Sequence, residues 1–194
     1  MGAKNRGPRA QPDAPAELRA DLIRTFRWRG DRTDVSYSAD PTEWWADPTI
    51  IKRLGPALAD LFSEEDPTVV LGPQSRGALL GALVAAHLGV GLVEVRKDPS
   101  PSADSDRWFI ARTPPDYRDR NLLLGARKDH LTAGQRVLLI DDWIDTGGQA
   151  VGARAIVEQS GATWCGAAVI VDGLSDSRLR RDLGVNALLN VREL

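Results

Sequence analysis

Val137-Leu138-Leu139-Ile140-Asp141-Asp142-Trp143-Ile144-Asp145-Thr146-Gly147-Gly148-Gln149 is the stretch on which the reading of this chain turns. Its first four residues form an apolar run with the length of a buried strand. Two adjacent carboxylates follow, then a Thr-Gly-Gly turn that opens a helix reaching about residue 160. The first N–H groups of a helix lack intrahelical partners, and glycines let an anion approach them closely, so such a turn suits a phosphate. Carboxylates beside it would repel that phosphate unless they serve sugar hydroxyls or a hydrated cation bridging to the ligand. A sugar phosphate carrying Mg²⁺ satisfies both halves. The plainer alternative is a strand ending in Asp ahead of an ordinary helix N-cap.

Working outward, residues 68–71, 91–96, 136–140, 167–171 and 185–189 read as short apolar strands, with 121–124 as a further candidate. Helical segments lie between them. Residues 16–26 place Leu18, Leu22, Ile23 and Phe26 on one helical face. Residues 47–62 open on Asp47-Pro48 and carry Ile50, Ile51, Leu54, Leu58 and Leu61 at helical spacing. Residues 27–38 suit a short strand or hairpin. This alternation predicts an α/β fold, with a central mostly parallel sheet flanked by helices. Ligands of such sheets bind beyond the carboxyl ends of the strands. The turns after Leu71, Val95 and Ile140 all carry glycine or charge.

At 194 residues, with 42% hydrophobic and 27% charged residues, the chain has the size and usage of one globular domain. We expect residues 1–15, basic and rich in Pro, Gly and Ala, to be a disordered tail before a domain at 16–194. A net charge of −2 makes no electrostatic case for nucleic acid or an anionic membrane. No apolar run approaches the ~20 residues of a membrane span. The single Cys165 excludes an internal disulfide framework and suits a reducing compartment, so a cytoplasmic location is expected.

Two further turns carry charge. Gly72-Pro73-Gln74-Ser75-Arg76-Gly77 has P-loop glycine spacing, but Ala78 stands where lysine is required, which excludes a P-loop NTPase. Val95-Arg96-Lys97 ends a strand with two adjacent cations, which repel unless an anion lies near them. The long polar stretch 98–115 is of the kind that forms functional lids.

These segments resemble the type I phosphoribosyltransferases, and the adenine branch above all. Residues 137–149 match that family's motif for phosphoribosyl pyrophosphate (PRPP). The turns ending in Arg76-Gly77 and Val95-Arg96-Lys97 resemble its pyrophosphate-contacting loops. Looser likeness extends over roughly residues 40–171, including Asp40-Pro41, Asp47-Pro48, Arg127-Lys128-Asp129-His130-Leu131 and Gly134-Gln135-Arg136-Val137.

The resemblance implies the type I phosphoribosyltransferase fold, with a small hood and a mobile lid at about 98–118, acting as a homodimer on Mg²⁺-PRPP. It implies that Asp141 and Asp142 hold the ribose and, through water, the Mg²⁺. Asp145, Thr146, Gly147, Gly148 and Gln149 would wrap the 5′-phosphate, and Arg76, Gly77, Arg96 and Lys97 the pyrophosphate. Arg76, Lys97 and Asp145 are the expected catalytic groups. The implied reaction is purine salvage: transfer of 5-phosphoribose to a purine or purine-like base with release of pyrophosphate. A PRPP-binding regulator without turnover is the alternative, and a transferase acting on an unusual heterocycle is a third reading.

The departures are local. Asp98-Pro99-Ser100-Pro101 stands where the adenine branch has a Gly-Lys-Leu-Pro-like lid, and Tyr117 beside Asp116 is the nearest match to its acidic-aromatic pair. Asp145 resembles instead the 6-oxopurine enzymes, where the carboxylate shares the proton of purine N7; it is also a good helix N-cap. Gln149 replaces a hydroxyl residue. Trp143 either stacks on a base or packs into the sheet. Trp28, Trp44, Trp45, Trp108 and Trp164 are assigned to core or subunit contact.

Overall fold

The computed structural model describes residues 16–30, 37–99, 107–114 and 121–194. The expected tail at 1–15, much of the 98–118 segment and the Asp116-Tyr117 pair lie outside the described residues.

The chain runs α1 (Ala16–Thr25), β1 (Arg27–Arg29), β2 (Ser38–Asp40), α2 (Thr42–Ala46), α3 (Pro48–Asp60), β3 (Val69–Pro73) and α4 (Arg76–Leu88). It continues through β4 (Gly91–Lys97), β5 (Trp108–Arg112), β6 (Leu123–Arg127), β7 (Arg136–Ile144), α5 (Gly148–Ser160), β8 (Thr163–Asp172), α6 (Ser177–Leu183) and β9 (Val185–Asn190). Seven strands make one sheet in the order β5-β6-β4-β3-β7-β8-β9, parallel from β4 through β9, with β6 and β5 added antiparallel at one edge. The expected α/β architecture is present.

Each face of the sheet carries its own apolar layer. Leu138, Ile140, Ala168 and Ile170 bury against Leu18 and Leu22 of α1, Leu54 and Leu58 of α3, and Leu80 and Val84 of α4. Val137, Leu139, Ala167 and Val169 bury against Ala153, Ile156 and Val157 of α5. Burial on both faces explains why these strands read as continuous apolar runs. Asp47 caps α3, accepting from the N–H groups of Thr49 (2.7 Å) and Ile50 (3.4 Å), and Pro48 fills the first helical position. The short β1 and β2 pair antiparallel from Arg27↔Asp40 to Arg29↔Ser38, so the second strand begins only where the strand or hairpin read at 27–38 ended.

Several boundaries differ from expectation. The candidate strand at 121–124 lies further on, at Leu123–Arg127. Within the polar segment 98–118, residues 108–112 form β5, an edge strand paired to β6 from Trp108↔Arg127 to Arg112↔Leu123. The β7 strand does not stop at Ile140 but continues to Ile144, paired with β8 as far as Asp172. Its side-chain alternation slips by one at the acids. Ile140 and Trp143 share one apolar face, whereas Leu139 and Ile144 share the other. A regular strand would send Asp141 and Asp142 to opposite faces; after this slip both line the same cleft.

Candidate active site

That cleft, about 500 Å³ in volume, opens at the carboxyl ends of β3, β4 and β7, where parallel topology places ligands. β7 contributes Asp141, Asp142, Trp143 and Ile144, and the turn after it contributes Asp145, Thr146 and Gly147. Gly148, Gln149 and Ala150 enter from α5; Gln74, Ser75, Arg76 and Lys97 from the β3–β4 side; Ala39 and Pro41 from the β1–β2 and α2 region.

The start of α5 keeps its backbone donors open. Gly147 occupies the N-cap with φ +78°, and no side chain caps the helix. The nearest hydroxyl, Thr146 Oγ1, lies 3.5 Å from the Gly148 nitrogen, at the limit of a hydrogen bond. Asp145, weighed above as an N-cap, does not serve as one; its side chain is exposed at the cleft. Gly147 is required twice over. Its φ is left-handed, and a Cβ there would lie 2.7 Å from Leu179 Cδ2. Among the described residues, Gln149 Oε1 is buried without a hydrogen-bond partner, a cost that a ligand donor would relieve.

The two acids differ in environment. Asp141 keeps partial exposure toward the cleft, yet protein surrounds it on most sides: a Cβ added to Gly77 would sit 2.9 Å from its Oδ1. Burial, and then the charge of Asp142, push the Asp141 carboxyl up to about 8, against the opposing pull of the Asp142 N–H and, more weakly, of Lys97. The Asp142 N–H donates to Asp141 Oδ1 at 2.9 Å. Asp142 is ion-paired with Arg76 Nη1. Gly77 itself does not line the cleft; it provides the space that lets α4 approach Asp141.

Gln74 ties the β3 turn to β4: its Nε2 donates to Glu94 Oε1 (3.1 Å) and its Oε1 accepts from the Lys97 N–H (3.1 Å). Lys97 lines the cleft, but Arg96 does not. Arg96 donates to Glu94 Oε2 (3.0 Å), and its guanidinium stands 5.6 Å from the centre of the Trp108 ring. Adjacent strand residues point to opposite faces, so the cation pair expected to share one anion is divided.

Trp143 packs against neighbouring rings and is also a cleft residue. Its ring packs 6.1 Å from Phe26 and 6.2 Å from Trp28, and it also lines the cleft. Trp44 is fully buried, as assigned. Trp108 lies on the edge strand β5, its ring centre 5.6 Å from the Arg96 guanidinium and 5.3 Å from that of Arg127. Gln74, Ser75, Thr113, Pro114, Ala39 and Pro41 were not anticipated as cleft residues. Thr113 is held by Leu122, whose N–H it accepts at 2.9 Å, at the end of the unforeseen β5. For Gln74 and Ser75 the signal was their place inside the Arg76-Gly77 turn.

The sequence and fold that build this cleft have counterparts among known proteins. Residues 46–188 match the phosphoribosyl transferase domain. The chain belongs to that family. An adenine phosphoribosyltransferase of Streptomyces coelicolor is 34% identical over 134 residues, 69% of this chain and 70% of that protein. A xanthine phosphoribosyltransferase of Bacillus mycoides is 29% identical over 126 residues, 65% of this chain and 64% of that protein, so just under two thirds of the latter's length is matched. The crystal structure of adenine phosphoribosyltransferase from Rhodothermus marinus is similar with a TM-score of 0.76 at 27% identity, covering 91% of this chain and all of that one. The phosphoribosyl transferase domain of this chain thus carries the family's type I fold.

Proposed function

We propose that this phosphoribosyl transferase domain moves 5-phosphoribose from PRPP to a ring nitrogen of a purine or purine-like base, releasing pyrophosphate. One observation carries the reading: paired acids, an uncapped helix start and two cations line a single cleft. The N–H groups at the start of α5 receive the 5′-phosphate, with Thr146 Oγ1 beside them. Asp141 and Asp142 accept hydrogen bonds from the ribose hydroxyls. Arg76 and Lys97 face the pyrophosphate and stabilise its growing charge as the bond to the sugar carbon breaks. Asp145 takes the proton that the base sheds as the new C–N bond forms.

Among the described residues, no group of three or more His, Cys, Asp or Glu could cage a metal. Two carboxylates, Asp141 and Asp142, fit Mg²⁺ that arrives on the ligand's phosphates and keeps several waters. When bound, it would offset negative charge on the pyrophosphate. The same reading places the protein in the cytoplasm as a homodimer. Among the described residues no helix is long and apolar enough to cross a membrane.

The test is pyrophosphate release by purified protein with Mg²⁺, PRPP and a panel of nucleobases. Release with one base supports transfer, and silence with all of them contradicts it. The ion pair of Arg76 with Asp142 and the placement of Arg96 outside the cleft favour a second reading, a PRPP-binding regulator. That reading predicts tight PRPP binding with no release.

A further inference from the structure

The Trp143 indole N–H has no hydrogen-bond partner among the described residues, although its ring is held by Phe26 and Trp28. Three other tryptophans satisfy theirs on backbone carbonyls: Trp28 on Leu194 (3.2 Å), Trp44 on Leu22 (2.9 Å) and Trp164 on Leu183 (2.9 Å). A tryptophan N–H is a donor only, and one lining a cleft beside apolar rings is commonly paired. Gly173, just after β8, shows where this donor lies. A Cβ placed on it would be 3.2 Å from Trp143 Nε1 and 3.6 Å from Asp145 Oδ1. Donor and acceptor therefore flank one small corner, left open because residue 173 has no side chain. Gly173 is fixed there by its own N–H, which donates to Ile144 O at 2.8 Å.

We propose that the Trp143 N–H, paired with the Asp145 carboxylate across Gly173, selects acceptor bases carrying a hydrogen-bond acceptor and an N–H side by side on one edge. The N7 side of a purine with a 6-oxo group is such an edge. In a 6-oxopurine, O6 accepts from Trp143 and N7–H donates to Asp145, the proton that Asp145 takes as the new bond forms. Trp143 is thus a specificity-determining residue, and the inference rests on the transfer reading above.

Trp143→Phe keeps the ring and its packing and deletes only the donor. With hypoxanthine, we expect KM for the base to rise about 3- to 10-fold, the size of one lost neutral hydrogen bond. KM for PRPP and kcat should change little. With adenine, which carries no O6 acceptor, the substitution should leave KM for the base unchanged, and a chain that turns over adenine but not hypoxanthine would overturn the inference. Gly173→Ala, whose methyl would cover the same corner, should raise KM for the base as well and serves if Trp143→Phe folds poorly. Base KM values untouched by both substitutions, or a rise in KM for PRPP as large as that for the base, would overturn the inference alone. An unaltered chain that uses no base sinks the transfer reading, and this inference with it.

Discussion

Asp141 carries two opposed demands, binding a polar sugar and standing in a crowded strand end. Its carboxyl is raised to about 8 by burial and the charge of Asp142, against about 3.9 in the unfolded chain. The folded state therefore holds this proton more tightly. The stability it contributes is complete below about pH 4 and is lost as pH rises to about 8. We predict that Asp141→Asn flattens this dependence: without ligand the variant melts above the unaltered protein at pH 8, with little difference at pH 5, while PRPP binding weakens. Thermal unfolding at the two pH values checks it. A second prediction concerns Gly77. A methyl there would lie 2.7 Å from Pro73 Cδ and 2.9 Å from both Asp141 Oδ1 and Ile140 O. Gly77→Ala should cost about 1–3 kcal/mol in denaturant unfolding and lower kcat/KM by moving Asp141. At this scale the sequence showed that the acids and glycines matter, because charge after an apolar run is visible in one dimension. It could not separate Arg96 from Lys97, since that depends on which face of β4 each side chain leaves.

The helix α5 and the strand before it form the element on which phosphate recognition depends. Gly147→Ala would force a side chain into φ +78° and against Leu179. We expect a loss of about 2 kcal/mol, with KM for PRPP raised more than KM for the base. Equal changes in the two constants would argue against a phosphate at this helix start. On the other side of the turn, Asp172 at the end of β8 is buried, pairs with Arg180 of α6 (Nε to Oδ2, 2.5 Å) and accepts from the Leu174 N–H (2.8 Å). This pairing holds the Gly173–Leu174 loop against the cleft. Arg180→Ala strands a buried acid and should destabilise by about 3 kcal/mol; adding Asp172→Asn should recover part of that loss in denaturant unfolding. The β7–turn–α5 unit was legible because a short apolar run, acids and glycines follow one another directly. Two elements were not. The edge strand β5 carries a short apolar run, Trp108-Phe109-Ile110-Ala111, but buries only Ala111 of it and lies inside a polar, Pro-rich segment read as a lid. The seven-residue α6 buries only Leu183 and is too short for helical spacing to stand out.

Across the whole molecule, the parallel order β4-β3-β7-β8-β9 brings the strand ends that bear charge and glycine to one edge, so residues about 65 positions apart, such as Arg76 and Asp142, meet. That convergence was legible from the α/β alternation alone, because parallel sheets place their carboxyl ends together. The hood was less so: Ala39 and Pro41 reach the cleft through a short hairpin and the aromatic cluster of Phe26, Trp28 and Trp143, contacts that no local pattern encodes. The central claim is that Asp141 and Asp142 grip the sugar while the α5 start holds its phosphate. Calorimetric titration of Mg²⁺-PRPP into the unaltered protein and into an Asp141→Asn/Asp142→Asn double variant tests it most directly. The account predicts one site per chain in the unaltered protein and about 100-fold weaker binding in the variant, the size of two lost hydrogen bonds. Equal affinity in the two proteins, or no binding to either, would contradict it.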